Sequence, residues 1–339
     1  MTGNTDRSRL IGALGSPYSM KLRAIMRYRH LAHDWVLRTP RNRAETADVK
    51  PNLVPMLRYP GESHYRVDST PLAYDLEARH PGHRSIIPTD PGMAFLSHLL
   101  EDMADEWLTK AMFHYRWFYE ADIYYSSHWI ADDSFPDERG AARDAAAKSF
   151  ADRQIGRMPI VGCTPENKAV IEDTYHRVLA LLESRVSVYD FLFGARPALA
   201  DFGLFGQLKT LATDPTPMAI MRATAQKTES WLRQLDDASG IDGAWLDPGE
   251  DLPDATLGLL ALAGEYYLPF LLANAAAVEK GEATFALTYD KGPYSQGTFG
   301  YQVKCLVDLR RRLADLSGDA AERTRTILQT AGCLQALDQ

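Results

Sequence analysis

The chain reads as an α+β protein whose sheet is confined to the first quarter and whose remainder is helical. Three observations predict this. Apolar runs of strand length fall at residues 9–15, 34–39 and 53–57, and the first gives way at once to helical spacing. Beyond residue 92 apolar side chains recur at three- and four-residue intervals over long stretches. With 339 residues, 45% hydrophobic and 24% charged, the chain is also too long for one comfortable core, so more than one packed unit is expected.

Residues 9–15 predict a buried strand, and Leu22, Ile25 and Met26 then set the face of a first helix. Residues 34–39 suit a second strand and residues 40–52 a polar loop or short helix. The apolar run 53–57 predicts a third strand, residues 58–61 a turn, and residues 65–67 a fourth short strand. A helix follows, with Ser69 able to cap it and Pro71 tolerated in its first turn. This βαβ-ββα order is that of a thioredoxin-like domain over residues 1–80. Turn-formers without periodicity mark residues 81–91 as a linker. An all-helical domain is expected over residues 92–240. Leu96, Leu99, Leu100, Met103 and Trp107 form one stripe there, and Thr164-Pro165 opens a helix faced by Ile171, Tyr175, Val178, Leu182, Val186 and Tyr189. Residues 199–211 are apolar nearly all round, with Gly203 and Gly206 inviting close neighbours. Residues 241–339 are an extension. It is expected to hold a helix pair or long helix at 252–280 interrupted by Pro269, and a hairpin of 283–289 and 297–303 about Asp290-Lys291-Gly292-Pro293. A last amphipathic helix is expected at 306–316.

The net charge of −8, with no run of five basic residues, argues against a nucleic-acid partner, because phosphate neutralisation needs clustered Lys and Arg. The first thirty residues hold no apolar signal core. No window is read as reaching the roughly 18 apolar residues of a spanning helix, so a cytoplasmic protein with no membrane partner is expected. Cys163, Cys305 and Cys333 are odd in number and widely spaced, which fits reduced thiols, and no metal site is expected.

Four motifs stand out: Leu14-Gly15-Ser16-Pro17-Tyr18 at a β-α turn, Leu53-Val54-Pro55-Met56-Leu57, Val67-Asp68-Ser69-Thr70-Pro71, and Pro197-Ala198-Leu199-Ala200-Asp201-Phe202. In order and spacing they resemble the glutathione transferase family, cytosolic, serine-type and bacterial-like, over roughly residues 8–240. The resemblance implies that the helical domain is the family's all-α C-terminal domain. It also implies a homodimer that takes glutathione as co-substrate, without a metal, and adds its thiolate to a small hydrophobic, aromatic electrophile in detoxification. Ser16 then stands where the family keeps its thiol-contacting residue, as a hydrogen-bond donor to sulfur. Pro55 stands at the family's cis-proline, which leaves the Val54 backbone to pair with the cysteinyl part of glutathione like an added strand. Asp68 and Ser69 resemble the acidic-Ser pair that takes the γ-glutamyl ammonium and carboxylate, with a helix N-terminus behind them.

Each of these residues also has a plainer reading. Ser16 can cap the first helix, with Tyr18 and Ser19 as rival hydroxyls, Tyr18 read as packing and Ser19 as a cap. Asp68 and Ser69 can be a helix cap and no more. The lysine often found just before the Val-Pro step is Leu53 here, which leaves Arg41, Arg43 or Lys50 for the glycine carboxylate. Ala198 replaces a capping hydroxyl, so Asp201 alone must serve that helix start. Eight aromatic residues crowd 113–129, among them Trp117, Tyr124 and Trp129, too many for one core stripe, and some are expected to line an electrophile pocket. The same site could run glutathione-dependent ether cleavage or isomerisation, and the fold could bind a ligand or partner without catalysis. The extension is expected to pack on the helical domain and to close the electrophile pocket, leaving glutathione binding to residues before His80.

Overall fold

Four short strands make one mixed sheet: β1 (Ser8–Gly12), β2 (His33–Leu37), β3 (Met56–Arg58) and β4 (Arg66–Val67), in the order β2-β1-β3-β4. The structure is a computed structural model and describes residues 6–82, 84–185 and 191–338. β1 and β2 run parallel, which requires a crossover, and α1 (Pro17–Tyr28) supplies it. β3 runs antiparallel to both β1 and β4, and α2 (Ser69–Arg79) follows β4. This is the thioredoxin-like arrangement that the element order predicts. The polar stretch between β2 and β3 holds two 3-10 turns, Pro40–Asn42 and Ala44–Thr46.

The helical part begins with α3 (Pro91–Met103), which continues through a π-helical turn at Ala104–Leu108 into α4 (Thr109–Phe118). Then come α5 (Glu120–Ser134), α6 (Gly140–Ile155), α7 (Lys168–Arg185), α8 (Leu199–Leu211), α9 (Pro215–Thr224) and α10 (Gln226–Asp236). α7 starts a turn later than Thr164 suggests, because residues 164–168 close two tight turns first. Val186 and Tyr189 lie outside the described residues. Every residue of α8 except Lys209 is buried. A Cβ at Gly206 would stand 2.5 Å from the Pro17 carbonyl oxygen, so only glycine lets α8 press on the first turn of α1. Asp201 does not serve alone at the start of α8: it accepts from the N–H groups of Ala198 at 2.9 Å and Leu192 at 3.1 Å, while Ser97 Oγ of α3 accepts from the Ala200 N–H at 3.1 Å and supplies the hydroxyl that Ala198 lacks.

In the extension, α11 (Asp254–Leu262), a π-helical turn at Ala263–Tyr267 and α12 (Leu268–Glu279) form one continuous helix. Pro269 therefore does not break it, since the wider turn just before absorbs the missing N–H. This stretch of 26 residues holds an 18-residue window of mean hydropathy 1.4 and is long and apolar enough to cross a membrane, contrary to the sequence reading. Within the fold 61% of its apolar window is buried, so its surface serves the core. The hairpin is β5 (Thr284–Tyr289) and β6 (Gly292–Gly297), joined by Asp290-Lys291, so the second strand comes earlier than expected. Residues 300–303 instead open α13 (Gly300–Ala314), and α14 (Gly318–Thr330) and α15 (Leu334–Leu337) follow where a single last helix was expected.

The extension shares a core with the helical part. Trp107, at the α3–α4 junction, meets Tyr266, Phe270, Tyr289 and Tyr294 with ring centroids 5.2 to 5.9 Å apart. The three cysteines are buried free thiols.

Candidate active site

Strand register brings three of the motifs together. Ile11 pairs with Met56, and Met56 with Val67, in one line across the sheet. β1 leaves that line toward Ser16, β3 enters it from Val54-Pro55, and β4 leaves it toward Asp68-Ser69. All three loops therefore lie on the same sheet edge, with the N-termini of α1 and α2 facing it. α1 has no acidic residue in its cap or first turn, so the partial positive charge of its N-terminus is uncompensated there, whereas the N-terminus of α2 carries Asp68 directly before it.

Ser16 is the N-cap of α1, with Pro17 at the first helical position. Its Oγ accepts from the Ser19 N–H at 3.3 Å, which leaves the hydroxyl proton available to another acceptor. The two rival hydroxyls are engaged inward. Ser19 is not the cap: it is buried within α1 and accepts from the Ala13 N–H at 3.3 Å. Tyr18 donates to the Asp105 carbonyl at 3.0 Å and to Thr109 Oγ1 at 3.3 Å. Burial, then the Glu106 and Asp105 charges, push its hydroxyl far above the usual tyrosine range.

The Val54–Pro55 peptide is cis, as is Lys50–Pro51. Neither the N–H nor the C=O of Val54 bonds to another described residue. Asp68, not Ser69, precedes α2 as its N-cap, and its side chain makes no capping bond. At φ 79° and ψ 113° it lies where a side chain is strained, a conformation that persists only when its surroundings enforce it. Ser69 is the first, buried residue of α2.

Sequence reasoning did not find what holds these loops. Arg116, buried in α4, donates to the Gly15 carbonyl at 2.7 Å and pairs with Asp214 at 2.7 Å. Trp129 packs on the same turn, and a Cβ at Gly15 would come within 3.1 Å of its ring. Lys21 of α1 is wholly buried among Glu101 at 2.6 Å, Asp105 and Thr70 Oγ1 at 3.2 Å, and Thr70 donates to Glu101 at 2.6 Å. The start of α2 thus rests on an internal ion cluster. Burial opposes charge on Lys21, but Asp105 and Glu101 outweigh it and hold the ammonium above its ordinary range. Lys21 in turn holds Glu101 below its range against burial. One cation does not serve both carboxylates equally, and burial, ahead of the Glu101 charge, pushes Asp105 up to about 7. Acidic residues inside the apolar stripe of α3 were the only signal of this cluster.

Of the cations considered for the glycine carboxylate, Arg41 pairs on the surface with Asp137. Arg38, at the end of β2, donates instead to the Asn52 carbonyl at 3.1 Å and steadies the segment leading to Val54. The aromatic run 113–129 divides. Tyr115 and Trp117 are core, Tyr124 and Tyr125 are exposed, and Trp129 is the one that meets the Ser16 turn. The extension reaches the other side of this edge, where Tyr301 donates to Asp68 Oδ2 at 3.1 Å. Two shallow depressions of about 360 and 420 Å³ lie elsewhere, under α13 and α15 and beside the β5–β6 hairpin. Among the described residues no group of three His, Cys, Asp or Glu side chains is arranged to hold a metal ion.

The family described as Glutathione S-transferase, N-terminal domain matches residues 10–84. No curated protein matches the chain in sequence. Similar solved structures include the β-etherase LigF from Sphingobium sp. strain SYK-6, 18% identical, with 68% of this chain and 94% of that one covered and a TM-score of 0.47. A glutathione S-transferase from Methylobacterium radiotolerans in complex with glutathione sulfonate is 19% identical, with 73% and 99% covered and a TM-score of 0.43. Another from Methylobacillus flagellatus, with glutathione bound, is 17% identical, with 68% and 96% covered and a TM-score of 0.41.

Proposed function

We propose, on the premise that residues 10–84 are a glutathione S-transferase N-terminal domain, that this chain binds glutathione along the sheet edge and adds its thiolate to a hydrophobic, aromatic electrophile. The reading is carried by the convergence on one edge of Ser16, the unpaired Val54 backbone and the strained Asp68. Val54 would pair with the cysteinyl unit as an added strand. Asp68 would take the γ-glutamyl ammonium, and Ser69 with the Thr70 N–H its carboxylate, at the positive end of α2. The thiol would then lie toward Ser16, whose free hydroxyl proton can donate to the thiolate. Trp129, on the same turn, is the aromatic surface offered to the second substrate.

Binding is the first test. Calorimetry with glutathione on the full chain is expected to show Asp68→Ala and Ser69→Ala each weakening association by about 1 to 3 kcal/mol, because each removes a partner of a charged ligand group. Unchanged affinity in both variants would reduce the pair to a helix start. A second reading, binding without turnover, draws on the cap bond that Ser16 Oγ already accepts. Turnover of aromatic electrophiles by the wild-type chain separates the two readings.

A further inference from the structure

Asp68 is bonded from far along the chain. Tyr301, 233 residues away, donates its hydroxyl to Asp68 Oδ2 at 3.1 Å. Several bonds bring α13 to this corner. Asn274 of α12 grips residue 299 on both sides, donating Nδ2 to the Phe299 carbonyl at 2.9 Å and accepting from the Phe299 N–H at 2.8 Å. This sets the residue from which α13 departs. Gln302 donates Nε2 to Glu106 Oε2 at 3.2 Å, and His98 Nε2 lies 3.1 Å from Asp308 Oδ2 further along the same helix. The first turn of α13 is therefore laid against the Asp68 corner by residues of α12, α3 and the π-helical turn after α3.

We propose that Tyr301 is a positioning residue for ligand binding: by holding Asp68 Oδ2 it presents Oδ1 to the α-ammonium of the γ-glutamyl group, so the C-terminal extension completes the glutathione side of the site. The proposal rests on the glutathione reading above and adds to it a residue outside the thioredoxin-like unit. A carboxylate fixed through one oxygen has lost its rotamer freedom before the ligand arrives, so less ordering remains to be done on binding. The Tyr301 hydroxyl is suited to this. Burial, followed by the Asp68 charge, raises it beyond the usual tyrosine range, so it stays protonated and donates. The corner also favours a cation. Burial foremost, with Asp68 contributing, holds Glu106 above the carboxylate range, and a positive group at Asp68 would relieve that repulsion. On this reading glutathione binding draws on a residue beyond His80 as well as on the thioredoxin-like unit.

The test uses the full-length chain and two ligands: glutathione, and N-glutaryl-cysteinylglycine, which keeps the carboxylates and the thiol but lacks the α-ammonium. Calorimetry is run on wild type, Tyr301→Phe and Asp68→Ala. Tyr301→Phe is expected to raise the Kd for glutathione by about three- to tenfold, the scale of one ordinary hydrogen bond, because Tyr301 acts on the ligand only through Asp68, and to leave the Kd for the glutaryl analogue within about twofold of wild type. Asp68→Ala is expected to lose the preference for glutathione altogether. If Asp68→Ala loses it while Tyr301→Phe binds glutathione as wild type does, the role of Tyr301 is overturned and the glutathione reading stands. Equal weakening toward both ligands in Tyr301→Phe would also overturn it, since that marks general damage to the fold. If wild type binds neither ligand, the glutathione reading itself fails, and the role of Tyr301 falls with it.

Discussion

Replacing Ser16 with alanine is expected to lower turnover by on the order of 10²-fold while glutathione affinity stays nearly unchanged. A hydrogen bond to the thiolate acts on the reacting state, whereas the contacts proposed to hold the tripeptide lie at Val54, Asp68 and Ser69. The free thiol, with a reference pKa of about 8.5, is already a few per cent ionised near neutrality, so the thiolate fraction alone gains at most about thirtyfold. The remainder must come from holding sulfur against the electrophile. Because Ser16 Oγ also caps α1, the same change costs about 1 kcal/mol of stability. Glycine separates the two roles, since it caps nearly as well as serine and donates nothing. Ser16→Gly should therefore recover most of the melting temperature and none of the turnover. Steady-state kinetics, calorimetry and thermal melts on the three proteins check this, and full turnover in either variant would leave Ser16 as a cap only.

Lys21→Met is expected to cost about 3–5 kcal/mol of folding stability, the largest loss predicted for any single substitution here. The methionine fits the space of the lysine stem, but Glu101 and Asp105 are left buried without their shared cation. The loss should depend on pH with a definite sign. Unpaired and buried, both carboxyls titrate above their unfolded-state values, so across that window the folded protein binds more protons than the unfolded chain. Stability then falls as pH rises, and the deficit against wild type is larger near pH 8 than near pH 5. Denaturant melts at both pH values measure it. An equal deficit at the two would assign the loss to packing rather than charge. Since Thr70 sits on this cluster, glutathione affinity should weaken in the same variant even where it remains folded.

Short-range features of this fold are legible without coordinates. The β1–α1 turn and α8 at Leu199–Leu211 follow from periodicity and turn-formers within windows of a dozen residues, and the cis step at Val54-Pro55 is what the resemblance of its motif implies. Where local signals compete, the reading slips. Ser16 and Ser19 both suit a cap, and the choice fell to whichever hydroxyl the end of β1 left outside the helix. Gly292-Pro293 looks like turn, yet it pairs with Thr288 and Tyr289, because Asp290-Lys291 alone closes the hairpin and residues 298–303 are taken up by the approach to α13.

The site divides in the same way. Ser16, Val54, Pro55, Asp68 and Ser69 are picked out by motifs that resemble the glutathione transferase family, since each lies in a short motif at its own loop or helix end. Arg116 on the Gly15 carbonyl, Lys21 between Glu101 and Asp105, Trp129 on the Ser16 turn and Tyr301 on Asp68 do not. Their partners lie from 80 to 233 residues away, and a helical pattern reports which face is apolar but not which distant face it meets. That a buried lysine finds two carboxylates, and that an added C-terminal helix begins with a tyrosine hydroxyl on the strained Asp68, follows from how α1, α3, α8 and α13 pack. Those distances are set when the cores close, not by the order of residues along the chain.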